Sequence, residues 1–121
     1  MLDDAWVKRF AEEWVEAWNA HDLDRVLALY AEDFEMVSPL IVTIAGEPSG
    51  RLKGKPAVRA YWEKGLRLLP DLHFELRSIL VGVEGMTLTY RGHRGLVAEV
   101  FQVGPDRQVT KVSAHTSASR R

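Results

Sequence analysis

Four aromatic residues place the tightest constraint on this chain. Trp6, Phe10, Trp14 and Trp18 recur every fourth residue near the N-terminus, with Val7, Ala11 and Val15 beside them. Lys8, Arg9, Glu12, Glu13 and Glu16 fill the other side. Residues four apart share one face of an α-helix, so the pattern predicts an amphipathic helix over about residues 3–20. Three indoles and a phenyl ring in one stripe must be buried against something large. In a chain of 121 residues the partner has to come from the same domain, and a single domain over residues 1–121 is expected.

The remaining sequence supplies that partner. Asn19-Ala20-His21-Asp22 interrupts the first helix, and Asp22 suits the N-cap of a second, about 23–31, with Leu23, Val26, Leu27 and Tyr30 inward. Residues 34–38 read as a short strand stopped by Pro39. Residues 40–54 read as an extended loop or hairpin punctuated by Gly46, Pro48, Gly50 and Gly54. Pro56 suits the first turn of a third helix, about 56–69, which gathers Val58, Tyr61, Trp62, Gly65, Leu66 and Leu69 on one face before Pro70 ends it. Strands follow at 72–82, 86–92, 95–103 and 108–117, and the tail Ser117–Arg121 is expected to fray. Three helices and then a meander of antiparallel strands is an α+β layout, with helices over one face of a curved sheet.

The strand at 95–103 says more. Val97, Glu99, Phe101 and Val103 share one face; Leu96, Ala98, Val100 and Gln102 share the other. Both faces are mostly apolar, so both should be covered, one by helices and the other by a second subunit. A homodimer through the outer sheet face is the expectation. The last strand has mixed parity, because Val109 points with His115 while Val112 and Ala114 point the other way. A bulge or a dimer contact would account for it.

Charge and composition exclude several classes. The formal net charge is −1, which does not favour a nucleic-acid partner. It is unevenly spread: residues 1–50 hold three basic and eleven acidic groups, residues 51–121 thirteen and six. Acidic helices packed on a basic sheet within one domain would explain this; a basic patch for a partner is the alternative. There are no cysteines, hence no disulfide and no thiolate chemistry. No apolar run reaches the roughly 20 residues of a membrane helix, and the start Met1-Leu2-Asp3-Asp4 is too acidic for a signal sequence. The expected setting is cytoplasmic, without a membrane partner.

Glu99 is the residue most suggestive of chemistry. It lies between Val97 and Phe101 on an apolar strand face, where a carboxylate is costly unless paired or protonated. Desolvation would raise its pKa toward the range of a general acid or base. Pairing with Arg91 or Arg77, or a place at the sheet edge, is the structural alternative. Ser38 could offer a hydroxyl to a pocket, or satisfy a turn before Pro39. Trp14, Trp18, Met36, Tyr61, Trp62, Phe74, Tyr90 and Phe101 suit the wall of an apolar cavity or a packed core. His21, His73, His93 and His115 have no metal-ligand spacing, so no metal and no cofactor is expected. Gly50-Arg51-Leu52-Lys53-Gly54-Lys55 falls one residue short of a phosphate loop, and Pro56 stands where Ser or Thr is needed.

Several motifs together carry a family resemblance. Residues 14–24 (Trp14-Val15-Glu16-Ala17-Trp18-Asn19-Ala20-His21-Asp22-Leu23-Asp24) and 29–34 (Leu29-Tyr30-Ala31-Glu32-Asp33-Phe34) resemble the opening of the nuclear transport factor 2-like superfamily. Residues 54–62 resemble its third-helix entry. This superfamily includes SnoaL-like polyketide cyclases and ketosteroid isomerases. The resemblance implies a cone: three helices in a strongly curved antiparallel sheet, with an apolar pocket at the open end and frequent dimerisation through the outer face. It also implies where a steroid-isomerase site would fall. The general-base aspartate lands on Ser38, the two tyrosines on Trp14 and Trp62, and the second oxyanion donor on Glu99. Three of these four polar groups are replaced, which argues against steroid isomerisation. What remains is an apolar pocket for a small hydrophobic or aromatic molecule, with three readings open. One is a cofactor-free isomerase, cyclase or dehydratase with Glu99 as acid–base and Ser38 and the Trp14 indole as positioning groups. The others are a binding module without turnover and a dimeric scaffold whose cavity is filled.

Overall fold

The aromatic stripe lies where its periodicity puts it. In the computed structural model, which describes residues 1–118, helix α1 spans Asp4–Asn19 and buries Val7, Phe10, Ala11, Trp14, Ala17 and Trp18. The expected fraying of the tail falls mostly at 119–121, outside the described residues. Helix α2 is Leu23–Leu27, and the Asp22 carboxylate accepts from the Arg25 N–H at 3.2 Å as its N-cap. It ends four residues before the sequence pattern suggests. The backbone is taken over by a strand, β1 (Tyr30–Val37), and the Val109 N–H donates to the Leu29 carbonyl at 3.0 Å. Tyr30 is therefore a strand residue, not a helical one.

The segment expected as a loop has structure of its own. One turn of π-helix covers Ile41–Ala45, and β2 (Arg51–Lys53) pairs with β1. Helix α3 is Lys55–Leu68. Then come β3 (Glu75–Val81), β4 (Gly85–Gly92), β5 (Gly95–Val103) and β6 (Val109–Thr116). β3 starts three residues later than expected.

The six strands lie in the order β2-β1-β6-β5-β4-β3. The sheet is mixed rather than wholly antiparallel, because β1 runs parallel to β6. Parallel neighbours need a long connection. Here it is everything between them: the chain leaves β1, crosses as α3 to the far edge, and meanders back. α1 packs against β3, and α3 against β1 and β2, so the helices line the inner face. Residues of β6 change parity at a bulge. Gln102 pairs with Lys111 but Val103 with Val109, leaving Thr110 as the extra residue. Val109, Val112 and Ala114 can then all face inward. Among the described residues no helix is long and apolar enough to cross a membrane.

Candidate functional site

The end of α1 builds one wall of a cavity. The Asn19 side-chain amide donates to the Phe74 carbonyl at 3.0 Å and its oxygen accepts the Phe74 N–H at 2.7 Å. His21 reaches the Leu72 carbonyl at 2.8 Å. These three contacts hold residues 72–74, which lack strand partners, against the helix and fix the Phe74 ring. The opposite wall comes from Tyr61, Trp62, Gly65 and Leu66 of α3. The sheet supplies Met36, Tyr90, Val97, Glu99 and Ala114. The enclosed space is about 200 Å³. An engineered apolar cavity of ~150 Å³ is large enough for benzene, so this one has room for a ring and a short chain.

Glu99 is the buried charge of that space, at 6% exposure. The β4–β5 register pairs it with Leu88 and pairs Tyr90 with Val97, so the Tyr90 phenol reaches Glu99 diagonally. Its O–H donates to Glu99 Oε1 at 2.5 Å. On the other side the β6 neighbour is Ala114, whose small side chain leaves the carboxyl open to the cavity. No ion pair reaches Glu99 among the described residues. Arg77 pairs with Glu75 at 3.7 Å, Arg91 is exposed, and β5 is a central strand. Neither the arginine partner nor the sheet edge considered from sequence is present. Burial pushes the Glu99 pKa up to about 7, while the Tyr90 hydrogen bond acts in the opposite direction. Burial likewise holds Tyr90 and Tyr30 well above the ordinary tyrosine range, with the Glu99 charge adding to both. Tyr61 is pushed up to about 12 by burial, against the Ser38 hydroxyl beside it. Neutral phenols therefore surround a carboxyl that is close to half-ionised at neutral pH.

Ser38 lines the same cavity and also makes a turn. Its Oγ accepts the Leu40 N–H at 3.2 Å, and its own N–H donates to the Gly50 carbonyl at 3.0 Å. Gly50 sits at φ +69°, and a Cβ there would come within 3.3 Å of the Ser38 carbonyl. A side chain at Gly50 would thus displace Ser38.

The structure brings eight of the ten residues named from sequence to this cavity: Glu99, Ser38, Trp18, Met36, Tyr61, Trp62, Phe74 and Tyr90. Trp14 and Phe101 do not line it. Trp14 is 1% exposed and lies beneath, stacked on Phe74 at 5.6 Å and edge-on to Phe101 at 5.7 Å. Its indole N–H donates to the Tyr30 hydroxyl at 3.0 Å. It is therefore not free to position a carbonyl or hydroxyl. The sequence reading missed Ile44 of the π-helical turn and Leu40 just before it, the glycines Gly65 and Gly92, and His93 and Arg94 at the mouth. Only the glycines carried a signal. Gly65 interrupts a helix where a Cβ would meet nothing within 4 Å, so helix propensity is sacrificed without any packing need.

Comparison with known proteins agrees with this architecture. The chain is 55% identical to a SnoaL-like protein of unknown function from Burkholderia thailandensis, with a TM-score of 0.91 over 96% of this chain and 98% of that one. AclR, a candidate hydroxylase from Streptomyces galilaeus, shares the fold at 20% identity and TM-score 0.72, covering 93% of this chain and 90% of its own. IdmH, a candidate polyketide cyclase from Streptomyces antibioticus, does so at 17% identity and TM-score 0.71, covering 89% of each. Among curated proteins none matches. The model of the SnoaL-like domain matches residues 11–116. A cone of helices in a curved sheet, whole-length likeness to a SnoaL-like structure and this family match place the chain in the SnoaL-like domain family of the nuclear transport factor 2-like superfamily.

Proposed function

We propose that the cavity binds a small hydrophobic or aromatic molecule and that Glu99 moves a proton on it without a cofactor, as an isomerase, cyclase or dehydratase would. The observation that carries this reading is a carboxyl with no cation beside it, buried in the wall of an apolar space and hydrogen-bonded by one phenol. A structural glutamate has no reason to be there: burial penalises its charge, and an apolar residue would pack at lower cost. A carboxyl that titrates near neutrality can both take and return a proton, which suits enolisation next to a carbonyl. Tyr90 steadies the charged form. Ser38, as expected from sequence, and Tyr61, in place of the Trp14 indole, offer hydroxyls for a carbonyl or hydroxyl of the ligand.

Deuterium exchange tests this directly. 2-Tetralone, a two-ring ketone with acidic α-protons, would be incubated with the protein in heavy water and followed by proton NMR. Faster exchange than in buffer, with a rate that rises through about pH 7, is expected. Glu99→Gln should lose on the order of 100-fold or more of the enhancement. Undiminished exchange in Glu99→Gln would remove Glu99 from the mechanism. Binding without exchange would favour the second reading, a ligand-binding module. That reading draws on Ser38, a hydroxyl that cannot serve as a second carboxylate.

We further propose that the outer sheet face pairs with a second copy of the chain. Leu80, Leu96 and Val100 stand exposed there, beside short side chains at Ser78, Thr87, Thr89 and Ala98. A face of short side chains with exposed apolar ones among them suits contact with its own copy across a twofold axis.

A further inference from the structure

The mouth of the cavity differs in charge from its depth. Glu99 is the acid of the lining and Arg94 its permanent cation. Arg94 and His93 are the two residues of the turn joining β4 and β5, where Gly92 pairs with Gly95. Gly95 takes φ +109°, which lets so short a turn close. Both side chains are exposed, and Arg94 makes no ion pair among the described residues. Glu99 lies four residue steps along β5 from Gly95, roughly 13 Å at ~3.3 Å per residue. Gly92 lines the cavity between them, where a Cβ would sit against the Tyr90, Phe74 and Val97 side chains at 3.6–3.7 Å. Exposed Leu68 continues the apolar lining to the rim.

We propose, building on the reading of this cavity as a ligand site, that its ligand is a small amphiphilic acid. It carries a ring-sized apolar body and a carboxylate on a short chain. The carboxylate meets the Arg94 guanidinium at the mouth, and the uncharged end faces Glu99. Charge and solvation disfavour the opposite orientation. Turned inward, the anion would lose its water in an apolar space and face a partly ionised carboxyl. Turned outward, it keeps its water and gains a planar, two-pronged donor. The cavity volume agrees, because about 200 Å³ holds the ring but not a long chain as well.

A matched pair of probes tests the charge without changing the shape. 3-Phenylpropionate and its neutral amide would be titrated against the full chain and followed by tryptophan fluorescence, since Trp18 and Trp62 stand in the wall. The wild-type protein should prefer the acid by about fivefold at low salt, the scale of an exposed ion pair, and lose the preference at high salt. Arg94→Ala should lose the preference and bind acid and amide equally, and Arg94→Glu should prefer the amide. Equal affinity in the wild type, or a preference that survives Arg94→Ala, overturns the anion subsite and leaves the apolar site standing. Failure of both probes to bind overturns the cavity reading and this proposal with it.

Discussion

Two neighbouring residues of β5 invert the usual arrangement. Glu99 is 6% exposed and Val100 is 40% exposed. The pleat sends them to opposite faces of one strand, the charge inward and the apolar side chain outward. A strand designed only for a monomeric core would do the reverse. Each inversion has a different cost. The buried carboxyl costs desolvation inside the molecule, whereas the exposed valine costs little in a lone chain and becomes useful only against a partner. In the proposed reading the inner face holds a titrating group and the outer face meets a second copy.

The largest effect expected from this contrast is a change in pH dependence. Glu99 has a pKa of about 7 when folded and about 4.5 in an open chain. Between those values the folded state holds the extra proton, so stability is greatest below about pH 4.5 for this group and falls as pH rises through 7. The difference is on the order of 3 kcal/mol. Glu99→Gln should therefore flatten the curve and melt higher than wild type at pH 8, with little difference in acid. A wild-type stability that rises from pH 5 to 8 in step with the variant's would mean that the carboxyl is not desolvated.

The outer face offers the next effect. Val100→Glu should weaken the proposed dimer at least tenfold, about 1.4 kcal/mol, because the symmetry places two charges in one interface. Sedimentation velocity over a concentration series would show it. Identical sedimentation of variant and wild type would leave the exposed valine without a partner of its own kind. Smallest is Gly65→Ala. An alanine inside a helix gains up to about 1 kcal/mol over glycine, and here its Cβ meets nothing within 4 Å. The melting temperature should rise while ligand affinity falls, since the methyl group takes cavity space. A rise in both would show that the glycine is not keeping room for a ligand.

Sequence parity alone placed Glu99 inward and showed that the last strand breaks alternation; of the bulge and the dimer contact it left open, the bulge is present, at Thr110. The helical stripe was equally legible in direction but not in depth. Trp14 and Trp18 share a face, yet the first is sealed under the cavity floor and the second forms its wall. Periodicity cannot tell how far along the cone a ring will stand. Tyr30 was misplaced for a related reason: Leu23, Val26, Leu27 and Tyr30 keep helical spacing, and only the distant strand β6 turns the last of them into a strand residue. Arg94 gave no signal at all, since a cation in a two-residue turn looks like any solvated turn residue until the fold hangs it over an opening.

The parallel pairing of β1 with β6 has a consequence for the order of events in folding. Its closest registered partners, Tyr30 with Val109 and Val37 with Ser113, lie more than seventy residues apart along the chain. Local structure such as α1 can form early, but this ladder closes a loop that contains almost all the rest, and its entropic cost falls before any reward. During synthesis the aromatic stripe of α1 has no complete sheet to cover it until the strand ending at Thr116 has left the ribosome. Nascent chains should accordingly remain open to chaperones and proteases until β6 is available to pair, then gain protection in a single step.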